Sequence, residues 1–97
     1  MPQSGPFCFR NSTDVPVNGL HVIFADSRGT ISEGQLTVGP PGRIQTTENQ
    51  LNVFLDAPLA PGSPLCFTVG SEAQPINVYI ALWTTDFNVA GRAEQIK

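Results

Sequence analysis

The sequence alternates apolar and polar residues with a period of two, and this period constrains the fold more than any other feature. In the segment LHVIFAD, alternation places Leu20, Val22 and Phe24 on one side of an extended chain. Such alternation is typical of β-strands with one buried face. No segment has the 3.6-residue period of an amphipathic helix. The pattern therefore predicts five strands, within residues 6–10, 20–26, 50–56, 64–70 and 76–84.

Turn-forming residues separate these segments. Asn18-Gly19 and Pro61-Gly62 are dipeptides that favour tight turns. Between residues 29 and 47 the strand pattern is broken by the proline-rich stretch VGPPG, which predicts two short edge strands joined by a loop. For AGRAEQIK, the last part of the C-terminal tail (residues 85–97), we expect no more than a turn.

Seven short strands at this spacing predict an all-β fold, a single antiparallel β-sandwich. Residues 1–97 are expected to form one domain, with the core strands within residues 6–84. Over that range the pattern resembles immunoglobulin-like and fibronectin-type-III-like sandwich modules, and a jelly-roll-like sandwich fits it as well. The resemblance is one of architecture, because the cysteines lie on the first and sixth strands rather than the second and sixth.

The charge of the chain argues against two classes of partner. The net charge is −3, and the five basic residues are scattered rather than clustered. Nucleic-acid binding needs a basic stripe, so we expect no nucleic-acid partner. No apolar run reaches the length of a membrane span, and we expect no membrane contact. The N-terminal MPQSGP lacks the pattern of a signal peptide.

Catalytic residue types are sparse. The chain has one histidine, His21, and no Gly-x-Ser-x-Gly motif. The eight acidic residues are spread along the chain, and no zinc or calcium spacing is present. We therefore expect no enzymatic activity, no metal and no cofactor.

The face opposite the predicted core is unusually apolar. If every strand keeps its alternation, that second face carries Cys8, Ile23, Phe54, Cys66, Tyr79, Ala81 and Trp83. Exposed patches of this size are unusual in monomers, so something should cover the face. The tail, with Phe87, Val89 and Ile96, is one candidate, and a neighbouring subunit is another. The candidate interaction surface comprises Ile23, Phe54, Tyr79, Trp83 and Phe87.

Two further motifs bear on the environment of the chain. Cys8 and Cys66 are predicted on the second face, either as strand neighbours joined by a disulfide or as two free thiols. Asn11-Ser12-Thr13 fits the N-glycosylation pattern, but these residues also form turns readily.

These observations lead us to expect a non-enzymatic structural or interaction protein. It would assemble with copies of itself or with a larger scaffold, as a capsid decoration or cement protein does at the virion surface or in another extracellular assembly. The alternative is an extracellular carbohydrate-binding or adhesion module, or a filament subunit. In the carbohydrate-binding form, Tyr79 and Trp83 would stack on sugar rings from one face of their strand.

Overall fold

A computed structural model describes residues 3–25, 31–71 and 76–96, which form nine β-strands. Numbered along the chain, they are β1 (Gln3–Arg10), β2 (Val17–Phe24), β3 (Ile31–Val38), β4 (Gly42–Thr47), β5 (Gln50–Leu59), β6 (Pro64–Ser71), β7 (Val78–Thr85), β8 (Asn88–Arg92) and β9 (Glu94–Gln95). Among these residues no helix is long and apolar enough to cross a membrane.

The strands form two antiparallel sheets that pack against each other. One sheet has four strands in the order β3-β6-β1-β9, and the other has five in the order β4-β5-β2-β7-β8. The predicted all-β sandwich is therefore confirmed. The two expected edge strands are β3 and β4, which lie at the edges of different sheets.

The inward-facing side chains of both sheets build one core. On the four-stranded sheet, the rings of Phe9 and Phe67 stack with centroids 6.0 Å apart. Phe7 meets Phe24 of the opposite sheet edge to face at 5.4 Å. Aromatic pairs of this kind contribute about 0.5–1.5 kcal/mol beyond the area they bury. They help to fix the two sheets face to face.

The strand pairing agrees with that of immunoglobulin constant domains only for β2 to β6, the second to sixth strands along the chain. The pairs β2–β5, β4–β5 and β3–β6 correspond to the neighbours of the second to sixth strands of such domains. The outer strands differ, because β1 pairs with β6 and β7 pairs with β2. In immunoglobulin domains the first strand lies beside the second and the last beside the sixth.

The tail does more than turn. Residues 88–92 pair with β7 and extend the five-stranded sheet, while residues 94–95 pair with β1 and extend the other. The expectation of a turn at most was wrong. The two strands of the tail are too short for their alternation to be recognised in the sequence. They form by pairing with β7 and β1, and the local sequence does not show that pairing.

The prediction that Trp83 faces outward was also wrong. Trp83 is 0% exposed and lies in the core beside Ala81. The β2–β7 register shifts between Ile23, which pairs with Ile80, and Phe24, which pairs with Val78. Tyr79 is the extra residue of this irregularity, and one extra residue exchanges the two faces of a strand. From Ile76 to Val78 the side chains therefore face as the alternation predicts. Beyond Tyr79 the core-facing and outward-facing positions are exchanged.

Candidate functional site

The second face predicted from the sequence is divided between opposite sides of the molecule. Cys8 and Cys66 lie on the four-stranded sheet, where they are direct cross-strand neighbours joined by a disulfide. Ile23 and Phe54 are half-buried on the outer face of the five-stranded sheet, while Ala81 and Trp83 belong to the core. The expectation of one continuous second face was therefore wrong.

The outer face of the five-stranded sheet still carries the exposed aromatic residues of the candidate surface. Tyr79 is 71% exposed and Phe87 is 83% exposed. Val89 of β8, which the sequence analysis assigned to a covering tail, is 64% exposed. We call Tyr79, Ile80, Leu82, Phe87 and Val89 the apolar strip, because they follow β7 and β8 from one end of the sheet to the other. The tail extends this apolar surface, and its Phe87 ring also packs against the half-buried Phe54.

Phe87 occupies a strained position in the turn between β7 and β8. Thr85 pairs with Asn88, so Asp86 and Phe87 are the two turn residues, and both have positive φ, 49° and 70°. Two-residue hairpins of type I′ require such angles and strongly prefer glycine there. For residues other than glycine this conformation costs roughly 1–2 kcal/mol. The chain thus holds a bulky ring in solvent at a position where glycine would be easier.

Side-chain hydrogen bonds hold this turn in place. The Asn18 amide donates to Asp86 Oδ1 at 3.0 Å, and the Asp86 backbone N–H donates to Asn18 Oδ1 at 3.0 Å. The Phe87 ring then contacts the Phe54 ring, with centroids 5.9 Å apart. The guanidinium group of Arg43 lies over the Phe54 ring, 5.5 Å from its centroid. These contacts hold the Phe87 side chain at one position on the outer face of the sheet.

The Phe54–Phe87 pair separates two clefts on this face. The first, which we call the charged cleft, has a volume of about 310 Å³, and Gly19, Thr84, Arg43, Asp56 and Asp86 line it with the two rings. The second, the apolar cleft, measures about 260 Å³ and is lined by His21, Leu82 and Val89 together with the same rings.

No catalytic constellation is visible in the described part of the chain. His21 Nδ1 donates a hydrogen bond to Asn52 Oδ1, 2.6 Å away, on the outer face of the five-stranded sheet. The cysteines are bonded to each other and lie on the opposite side of the sandwich, so they cannot form a dyad with His21. Among the described residues no three histidine, cysteine or acidic side chains are grouped to hold a metal ion.

The sequence pattern named Phe54 and Phe87 as candidates but not the polar residues around them. Arg43 and Asp56 lie on β4 and β5, the two strands of one hairpin, and nothing in their local sequence marks them. One signal was available for the turn, since Asp86 and Phe87 follow the polar pair Thr84-Thr85 and precede the polar Asn88. Comparison with known proteins gives no match of the chain to a family model, a curated protein or a solved structure.

Proposed function

We propose that the protein is a non-enzymatic structural or interaction subunit that assembles with copies of itself through the apolar strip. The observation that carries this proposal is Phe87, a large aromatic side chain held in solvent at a positive φ. Backbone strain persists where the surrounding structure enforces it, and such positions cluster at binding sites. An exposed aromatic residue anchored in this way has the properties of an interface hot spot.

The surroundings of Phe87 support the same proposal. Val89 and Tyr79 extend the apolar strip on either side of half-buried Ile80 and Leu82. The apolar cleft beside Phe87 offers a recess for a side chain of a second copy. Interface cores are depleted in charge and enriched in aromatic residues, as this strip is.

The setting that we propose for such a subunit is a larger protein assembly, with a capsid decoration or cement protein as its most specific form. Support comes from the small two-sheet architecture, and it is an analogy at the level of the fold. An adhesion module that stacks sugars between Tyr79 and Trp83 is not proposed, because Trp83 is buried in the core.

Sedimentation velocity over a wide range of protein concentration tests self-association. We expect the wild type to form a dimer or larger oligomer and Phe87→Gly to stay monomeric. The same substitution should change the free energy of unfolding by no more than about 1 kcal/mol, because the lost ring contact is offset by relief of the positive φ. Loss of association would then reflect the surface and not misfolding.

Two valines provide a matched control for this experiment. Val89 lies in the apolar strip, whereas Val38 is exposed on the four-stranded sheet, where it pairs with Cys66. We expect Val89→Ser to weaken association and Val38→Ser to leave it unchanged. A wild type that is monomeric at every concentration, or equal effects of the two serine variants, would overturn the proposal.

A further inference from the structure

The charged cleft has a shape and a set of polar groups that the apolar strip does not explain. We propose that it binds a neutral saccharide, with a sugar ring placed against Phe87 and Phe54 and its hydroxyl groups held by Arg43, Asp56 and Asp86. This inference goes beyond the proposed assembly function and does not depend on self-association.

The floor of the cleft is Gly19, a buried residue of β2 with no side chain. A Cβ atom at this position would collide with the hydroxyl oxygen of Thr84 on β7, so the sheet itself requires glycine there. Gly19 and Thr84 line one side of a recess of about 310 Å³ that is bounded by the two phenylalanine rings. This volume is at the lower end of the range of small-molecule sites, which begins at about 300 Å³.

The rings provide the apolar part of the site. Phe87 and Phe54 are inclined by 56° to each other and form two adjoining walls. The face of an aromatic ring is electron-rich and attracts the weakly positive C–H groups of a sugar ring. A sugar has such C–H groups on its faces and hydroxyl groups around its edge, so it would meet rings and polar groups together.

The polar groups are available for a ligand. Arg43 forms no ion pair with any described side chain, and its position over Phe54 leaves its N–H groups free around the edge of the guanidinium plane. Asp86 uses Oδ1 for the Asn18 amide, which leaves Oδ2. Asp56 is exposed at the same cleft. A hydroxyl group can donate to the carboxylates and accept from the arginine, which matches this mixture.

The same groups argue against other ligands. One arginine and two aspartates give the cleft a net charge of −1, which disfavours phosphate, sulfate or another anion. An apolar ligand would remove three charged groups from water without replacing their hydrogen bonds. A cationic ligand would meet the Arg43 guanidinium already placed on the Phe54 ring.

Amide chemical-shift mapping on ¹⁵N-labelled Val89→Ser protein tests this inference, because that variant keeps every residue of the charged cleft and is expected to associate more weakly than the wild type. The probes are cellohexaose, xylohexaose, mannohexaose, laminarihexaose and chitohexaose, with a heparin hexasaccharide as the anionic arm. We expect at least one neutral oligosaccharide to shift the amides of Gly19, Thr84 and Phe87, and heparin to leave them unchanged.

Two arginines on this sheet supply the matched control. Arg43→Gln should weaken binding of the active oligosaccharide about tenfold, the effect of losing one hydrogen bond from a charged donor. Arg92→Gln changes an arginine of β8 outside the cleft and should have no effect. The inference is overturned if no neutral oligosaccharide shifts these amides, if only heparin does, or if the two variants weaken binding equally. Each result is independent of whether the wild type self-associates.

Discussion

Among single residues, Asn11 differs most from what its local sequence indicates. It is only 1% exposed, and its side-chain amide donates to the carbonyl oxygens of Val15 at 2.9 Å and Leu59 at 3.0 Å. Its Oδ1 accepts from the backbone N–H of Thr13 at 3.0 Å. The nitrogen that a glycan would occupy is therefore committed to the loop after β1 and to the end of β5. The acceptor motif is a structural turn in this fold.

Replacement of Asn11 by aspartate should destabilise the protein strongly. Asn11→Asp keeps the acceptor for Thr13 but leaves the carbonyl groups of Val15 and Leu59 facing a carboxylate in place of an N–H donor. We expect a loss of about 2–4 kcal/mol in the free energy of unfolding, measured by urea denaturation. The neighbouring Ser12→Ala, at an exposed position, should change it by less than about 0.5 kcal/mol. Equal midpoints for the two variants would contradict a structural role for the Asn11 amide.

Trp83 is a second residue that the local sequence pattern assigned to the wrong face of the sheet. Its side chain is fully buried, and its indole N–H has no hydrogen-bond partner among the described residues. Buried tryptophans usually find such a partner. Volume is what Trp83 contributes to the core.

At the scale of elements, the contact between β2 and β7 depends on one small residue. Gly19 pairs with Thr84, and a Cβ atom on Gly19 would also approach the Val53 carbonyl oxygen of β5 to 3.1 Å. The centre of the five-stranded sheet is thus closely packed on its outer side as well as in the core. Asn18-Gly19 lies inside this strand, so the turn predicted at these residues was wrong: the dipeptide serves strand packing and the charged cleft.

A double-mutant cycle measures this contact. Gly19→Ala should lower the free energy of unfolding by about 1–3 kcal/mol, because the new methyl group meets the Thr84 hydroxyl. Thr84→Ala removes that oxygen and should recover most of the loss when combined with Gly19→Ala. The expected coupling is about 1–2 kcal/mol by thermal or urea unfolding. Additive effects of the two substitutions would show that the clash does not determine the cost.

At the scale of the whole molecule, the disulfide acts within one sheet. Cys8 and Cys66 are directly opposed on β1 and β6, with Cα atoms 4.1 Å apart and a sequence separation of 58 residues. The bond therefore links distant parts of the sequence but does not bridge the two sheets. Packing between the sheets depends on the aromatic core, which the bond does not enter.

Removal of the disulfide should weaken the fold without changing it. A Cys8→Ala, Cys66→Ala variant should lose about 4 kcal/mol or less of unfolding free energy, the loop-closure entropy expected for a loop of this length. Its circular dichroism spectrum should match that of the oxidised protein. Urea unfolding of the wild type with and without a reductant provides the comparison, and identical midpoints would contradict the expected stabilisation.

The sequence by itself determined seven of the nine described strands, because period-two alternation and proline-glycine turns are local properties that any sandwich must satisfy. It located the cores of β1, β2, β5, β6 and β7, and it identified Phe54 and Phe87 as surface candidates. Only the tertiary structure decided which face each residue joins. One extra residue at Tyr79 moved Trp83 into the core, and the assignment of β1 and β5 to different sheets separated Cys8 from Phe54. The charged cleft likewise exists only where β2, β4, β5 and the β7–β8 turn meet, since hydrogen bonds between strands, not neighbours along the chain, bring its residues together.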